Sequence, residues 1–517
     1  MIGLVEFVRN RTTHYTTRQT PVECKLSATQ TVRVRGVMVS MDAFQAFDGE
    51  EMVEKPKVAI IGAGIAGLRA ARVFEQNHID YIIFEAKDRI GGRIYPFGYG
   101  DGYLQHGAEY VNGVDNEIYK IAESLKIMEN NDDLVPDEYI SQSSTAIFID
   151  GTRIEKKDLK EFVKFTRNIE ERLEDEAELD KYYTLSVADR YDYHFQKWMK
   201  TQSNGKLKEG VLQQLGRLFK NYLQTEWSAP VEKLAMANLD EWDDGANHND
   251  SFELNSRGYA AILEAYVDQI DVGKVILNAP ISRIDYRSGK DVIITTAFGE
   301  AHVFNHVIVT IPLGYLKANV YTLFLPRLPQ EQESAIKDMG FGRNQKVFLE
   351  YEKPWWPEDV DTLLVSTSYG PFKRLERQLY DVSTKSMGEK NILVAWIAGK
   401  GPEAMARMSE SEILQEVSSH LKQNLKEYPV EEAKRIFTHN WLADRYTMGS
   451  YSYLTPEATK NHEDVIEKLG EPVIGINTRP LICFAGEHTD SKMYQTTVGA
   501  SRSGFREAQR ISKFLSQ

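Results

Sequence analysis

Gly62-Ala-Gly64-Ile-Ala-Gly67 is the stretch that most restricts what this chain can fold into. It follows Lys57-Val-Ala-Ile-Ile61, an apolar run suited to a buried parallel strand. It opens a helix expected to reach about Gln76, and a second short strand, Tyr81-Ile-Ile-Phe84, comes next. Strand, glycine turn, helix and strand make a β-α-β unit whose turn reads G-x-G-x-x-G. The first glycine makes the tight turn and the second lets backbone N–H groups approach a pyrophosphate. The third lets helix pack on strand, with the helix N-terminus facing the phosphates. Glu85 ends the second strand 18 residues beyond Gly67, where a carboxylate accepts both ribose hydroxyls and disfavours a 2′-phosphate. Gly62, Gly64, Ala66, Gly67 and Glu85 are therefore candidate dinucleotide-binding residues. The fingerprint alone does not separate NAD from FAD.

The rest of the chain alternates in character. Residues 155–182 are charged and helix-periodic, with Leu159, Phe162, Val163, Ile169 and Leu173 as the buried stripe. A further helix is expected over about 211–223. Strands are expected at 275–277, 291–295 and 306–310, and again at 345–351 and 392–397. A helix over 410–425, a strand at 481–485 and a helix over 498–515 close the chain. No internal repeat is visible. This order predicts the α/β class: a Rossmann-like dinucleotide-binding domain interleaved with an α+β domain. The expected division is an N-terminal extension over 1–54, then the nucleotide domain over 55–135, 251–315 and 471–517. The second domain takes 136–250 and 316–470.

Charge and cysteine usage exclude several classes. The net charge of −14 disfavours a nucleic-acid partner, which would want a basic face, while an acidic surface steers small cations inward. Two cysteines, Cys24 and Cys483, cannot form a disulfide framework or a zinc site, and no metal-ligand cluster is visible. No apolar run reaches 18 residues, and no apolar tail follows Lys513-Phe514-Leu515-Ser516-Gln517, so a membrane anchor is not expected. The first 40 residues carry +4, which leaves −18 on the remainder. Three readings of this segment stand: a disordered tail, an extended reading frame ahead of Met38, Met41 or Met52, and an organelle-targeting leader.

Further glycine-marked stretches extend the site. Glu85-Ala-Lys-Asp-Arg89-Ile-Gly91-Gly92-Arg93 places a backbone turn and a forked cation near a second phosphate region. His106-Gly107-Ala108-Glu109-Tyr110-Val-Asn112-Gly113 follows. Near the C-terminus come Phe484-Ala-Gly486-Glu487-His488-Thr489 and Tyr494-Gln-Thr496-Thr497-Val498-Gly499-Ala500. Together with the 307–316 segment, Lys346-Val-Phe-Leu-Glu350 ahead of Pro354-Trp355-Trp356, Gly449-Ser-Tyr451-Ser-Tyr453 and Gly504-Phe-Arg506-Glu507-Ala508, these resemble the FAD-dependent amine oxidases. They are most similar to the polyamine oxidases. The resemblance spans about 57–511.

It implies the amine oxidase two-domain fold, FAD held without a covalent bond, an amine substrate and dioxygen as acceptor. Gly62, Gly64, Gly67, Glu85, Gly92 and Arg93 would hold the adenosine diphosphate half. Gly107, Ala108, Glu109 and Tyr110 would lie along the flavin, and Ile281 would meet the adenine end. Gly486 and Glu487 would serve the ribityl or phosphate region. Thr497 and Val498 would sit at the pyrimidine edge, where a helix N-terminus stabilises negative charge. Lys346 would hold a water near flavin N5; the pattern by itself also fits a solvated strand-edge lysine. Tyr453 is a candidate aromatic wall or a core tyrosine, and Thr496 a candidate hydrogen-bond partner for a substrate nitrogen. Asn112 stands where the family usually has histidine or glutamate and cannot titrate, so the substrate and the bond cut stay open. Arg445 and Met448 also depart from the family pattern. The run Asp240-Glu241-Trp242-Asp243-Asp244 is a candidate anchor for distal ammonium groups or a solvated loop. No cysteine lies in 449–453, where monoamine oxidases attach their flavin. The expected location is the cytoplasm, with peroxisome and nucleus left open. Three functions compete: a polyamine oxidase, an oxidase of another amine or an L-amino acid, and a silent FAD-binding scaffold.

Overall fold

The structure is a computed structural model that describes residues 58–129, 140, 144–202, 205–241, 251–360, 362–366, 379–383 and 391–517. The 1–54 extension with Cys24, and the side chains of the acidic run from Asp240 to Asp244, lie outside the described residues.

The Val58–Ile61 strand is buried at every position and pairs in parallel with Tyr81–Phe84 on one side and His306–Val309 on the other. Unbroken apolar strands of this kind need cover on both faces, which a parallel sheet receives from its crossovers. Val275–Ile276 extends the sheet beyond Tyr81–Phe84, and Pro480–Phe484 extends it beyond His306–Val309, both in parallel. Val473–Ile474 adds an antiparallel edge, giving a six-stranded sheet drawn from three distant parts of the chain. The helices Ile65–Gln76 and Thr497–Leu515 share a core with it through Leu68, Ala71, Ala508 and Ile511.

A second sheet of seven strands runs in the order Arg435–Thr438, Gln345–Glu350, Ile392–Ile397, Leu379–Ser383, Thr362–Ser366, Thr145–Ile149, Thr152–Arg153. Its pairs are antiparallel except Thr362–Ser366 with Thr145–Ile149. The helices Lys160–Ala177, Val187–Met199 and Glu209–Glu226 join it through a core that includes Ile147, Phe162, Ile169, Leu215 and Phe219. The molecule is thus α/β, a Rossmann-like parallel sheet interleaved with a mixed helical and antiparallel region.

Three departures from the sequence expectation have local causes. The helix expected over 155–182 divides into a one-turn helix Lys156–Asp158, the helix Lys160–Ala177 and a short Asp180–Tyr183. Its buried stripe ends at Ala177, and the next three residues are exposed, so nothing anchors another turn. Val187–Met199 was not anticipated: its buried face includes His194, which interrupts the apolar period, although Ser186 and Asp189 form a full capping box at its start. Thr145–Ile149 and Thr362–Ser366 are also unanticipated; periodicity alone does not separate such short, largely apolar runs from a buried helix segment. Among the described residues no helix is long and apolar enough to cross a membrane, and no group of side chains could hold a metal ion.

Candidate active site

One cleft of about 980 Å³ is lined by residues of both regions, at the upper end of the size of small-molecule sites. Gly62, Gly64, Ala66, Glu85, Gly92 and Arg93 line it at the Rossmann sheet, as does Ile281. Gly67 does not; a Cβ there would stand 2.0 Å from the Gly62 carbonyl oxygen. The third glycine therefore serves the contact of helix on turn. Glu85 accepts the Ala63 amide at 2.7 Å and the Lys87 amide at 2.9 Å. Burial pushes its carboxyl up and the two amides oppose that. A carboxylate has about four acceptor positions, so lone pairs remain for ribose hydroxyls. Arg89 donates to the carbonyls of Ile90, Gly92 and Ile94 and lies 3.9 Å from the Tyr95 ring centroid, which locks the Gly91-Gly92 turn.

Arg93 donates to the Ser450 carbonyl at 2.7 Å and to Glu487 at 2.8 Å. Glu487 is fully committed: its other oxygen accepts the Ser452 hydroxyl at 2.6 Å and the Gln495 amide at 3.0 Å. Burial raises its carboxyl, but Arg93 and these donors outweigh it and hold the group low. Glu487 thus aims Arg93 and itself lines the cleft, where contact with the ribityl or phosphate region is expected. Gly486 lines the cleft beside it.

The Thr497–Leu515 helix presents its N-terminus to the same cleft through Thr496, Thr497 and Ala500. Two expectations change here. The Thr496 hydroxyl caps the helix, accepting from the Gly499 amide at 3.0 Å and donating to the Met493 carbonyl at 2.7 Å, so its proton is not free for a substrate. Val498 turns into the core at 2% exposure and does not line the cleft. Thr497 instead lies 2.6 Å from the Tyr259 hydroxyl, which donates to the Tyr110 carbonyl at 2.7 Å. Fully buried Tyr259 thus ties the Gly107 to Tyr110 segment to this helix start, a role with no motif to announce it.

Gly107, Ala108, Glu109 and Tyr110 all line the cleft, and a Cβ on Gly107 would come within 1.8 Å of the Arg93 carbonyl oxygen. Lys346 enters from the Gln345–Glu350 strand, buried, so the solvated strand-edge reading is excluded. Its ammonium donates to the Gln105 carbonyl at 3.0 Å, the Gly107 carbonyl at 2.9 Å and the Glu109 carboxylate. Burial lowers its pKa and Glu109 opposes that. His106, among Tyr95, Phe97 and Phe348, is held neutral at about 3 by burial.

At the second region's walls, Asn112 lines the cleft and donates to the Ser251 hydroxyl at 2.9 Å. Tyr453 does not line it. It pairs with Gly340, packs its ring over that glycine and joins the helical core. Trp396, Tyr222 and Tyr451 supply the aromatic wall instead. The most informative side chain was missed: Glu226, at the end of Glu209–Glu226. It lines the cleft and is exposed to solvent, and its carboxylate makes no hydrogen bond or ion pair among the described residues. The surrounding protein pushes its pKa up to about 7. Glu170 and Glu174 line the same stretch. Acids on charged helices carry no spacing signal, so sequence offered no means to select Glu226.

A glycine turn at one helix start, an acid at the second strand's end, and a second helix start on the same cavity fit a flavin dinucleotide. Residues 65–512 match the family described as flavin containing amine oxidoreductase. The chain belongs to that family.

Among its relatives, human peroxisomal N(1)-acetyl-spermine/spermidine oxidase is 26% identical over 490 residues, covering 88% of this chain and 94% of that protein. Probable polyamine oxidase 4 of Arabidopsis thaliana is 27% identical over 476 residues, covering 89% and 88%. Human lysine-specific histone demethylase 2 is 27% identical over 475 residues, covering 88% of this chain and 53% of that protein.

Proposed function

We propose that this protein is a polyamine oxidase. The glycine turn, Glu85 and Arg93 would hold FAD without a covalent link, and the bound flavin would supply two-electron oxidation of the carbon beside a polyamine nitrogen with dioxygen as acceptor, the products being hydrogen peroxide, an aldehyde after imine hydrolysis, and a smaller amine. Noncovalent binding is supported by the thiols: Cys483, the free cysteine among the described residues, is buried away from the cleft.

The chain's own groups divide the work. Glu85, the glycine turn and Arg93 hold the adenosine diphosphate half. The Thr497 helix start, which opens on the cleft, would stabilise negative charge on the bound cofactor. Lys346 holds a cation beside the reacting region. Trp396, Tyr222 and Tyr451 exclude water around an alkyl chain.

The observation that carries the polyamine reading is Glu226, an unpaired carboxylate in the substrate-side wall. A carboxylate whose charged form the surrounding protein disfavours gains from a ligand that supplies the opposite charge, and a second ammonium of a polyamine does so. Asn112 has no titratable group. Two of the relatives are named for polyamine oxidation, in keeping with this reading.

Purified protein is expected to be yellow and to release its flavin on acid precipitation. Anaerobic mixing with spermine, spermidine or N1-acetylspermine should bleach it within seconds. Bleaching by aromatic amines or L-amino acids alone would assign another amine oxidase activity. Bound FAD that no amine reduces would overturn the enzymatic reading.

A further inference from the structure

The Lys346 ammonium is surrounded by three acceptors, the Gln105 and Gly107 carbonyls and the Glu109 carboxylate. An ammonium has three N–H donors, so this set occupies every one. The Trp396 ring lies 4.6 Å from Nζ, and Trp396 is the cross-strand partner of Lys346.

The three acceptors are not equivalent. The two carbonyls are backbone groups, one ending the Gly102–Gln105 strand and one in the turn that follows it, and both are held by their neighbours. Gly107 lies against the Arg93 carbonyl, and the Trp441 indole donates to the His106 carbonyl at 3.0 Å. Glu109 acts through a side chain that lines the open cleft, so it alone can rotate away. We propose that Glu109 is a positioning residue for Lys346: its carboxylate holds the ammonium fully coordinated, and its rotation releases one N–H toward whatever occupies the cleft. The inference rests on the role given to Lys346 above.

The charged neighbours leave this task to Glu109. His106, on the same turn, is neutral. The Arg89 guanidinium is tied to the Ile90, Gly92 and Ile94 carbonyls. His439, beyond the Arg435–Thr438 strand, bonds Asp444 at 2.9 Å. Trp396, from the opposite strand, is uncharged. Glu109 is the carboxylate in contact with Lys346 among the described residues. Without it, a buried ammonium lacks its counter-charge and sheds its proton more readily.

The test uses Glu109→Gln, which keeps the shape and removes the charge. FAD-loaded protein is photoreduced without any amine and mixed with aerated buffer across pH 6 to 10. The midpoint of the Lys346-dependent rate should fall by about one pH unit or more in E109Q. Glu109→Asp should recover part of that fall, and E109Q should change nothing in a Lys346→Met background. An unmoved midpoint, or the same change with Met at 346, overturns the proposal. A second measurement needs neither flavin nor amine: titration of the Lys346 Cε signal by ¹³C NMR in apoprotein, the signal being the one that Lys346→Met removes. E109Q should lower its midpoint, and an identical titration refutes the pairing. A colourless wild type would sink the oxidase reading and leave this second measurement intact.

Discussion

Glu85 and Glu226 line the same cleft, and the surrounding protein pushes both carboxyls up. Their surroundings differ. Glu85 is tied by two backbone amides before any ligand arrives. Glu226 has no such partner and keeps its acceptor capacity for a guest. The nucleotide end is therefore preorganised, with Glu487 saturated, Arg89 tied down and Arg93 aimed. The substrate end holds an unsettled charge. Preorganisation suits a ligand that stays; an unpaired acid suits a cation that comes and goes.

Gly67→Val should break the preorganised end most severely. Its Cβ would fall 2.0 Å from the Gly62 carbonyl oxygen, and the purified protein should lose bound flavin, read as the 450 nm absorbance per chain, by about tenfold or more. A stoichiometric yellow variant would mean the turn is not what holds the nucleotide.

Lys346→Met should keep FAD yet slow reoxidation by about 100-fold, the loss expected for one preorganised donor. Stopped-flow absorbance reads this directly, and an unchanged rate removes the role given to that lysine.

Glu226 offers a pH test at the other end. With its pKa near 7, the carboxylate attracts an ammonium only once deprotonated. Affinity for the cation should therefore climb as pH rises through 7. The value of kcat/KM for spermine should increase about tenfold from pH 6 to 8, one decade per pH unit below the pKa, after correction for amine ionisation. Glu226→Gln should flatten this rise and leave flavin content intact. A wild-type profile identical to that of E226Q argues for a different anchor. The same variant makes a stability prediction. An acid whose folded pKa exceeds its unfolded one costs stability as pH rises from about 4.3 to 7. Apo E226Q should therefore melt above wild type at pH 8 and level with it at pH 4, as differential scanning calorimetry would show.

Tyr259→Phe should have the smallest effect. It removes the bridge between Tyr110 and Thr497, worth about 1 kcal/mol, and FAD should bind about fivefold more weakly by titration of apoprotein. A change beyond about a hundredfold would point to collapse of the Tyr110 segment.

How much was legible follows the same divide. The strands at 58 and 81, the helix to Gln76 and the closing helix were readable because each has a short-range code: an apolar run, a glycine turn or a period of 3.6. Gly62, Glu85 and Lys346 stood out through motifs. The misreadings came where one residue type serves two ends. A tyrosine at 453 reads equally as wall or core, and only its place over Gly340 assigns it to the core. A threonine at 496 reads as a substrate contact, and the structure adds that it caps the helix while lining the cleft. Helix Val187–Met199 was hidden because His194, hydrogen-bonded to Glu176 at 3.0 Å, sits on its buried face.

By itself the sequence determined the class, a nucleotide-binding α/β chain with an acidic balance and no thiol near the expected flavin attachment region. Those properties depend on neighbours in the chain, where glycine spacing and apolar alternation act directly on the backbone. Tertiary structure alone decided which charges meet. Glu109 with Lys346, Arg93 with Glu487 and solitary Glu226 are separated by up to hundreds of residues, and electrostatic energy depends on distance through space and on burial, neither of which is written along the chain.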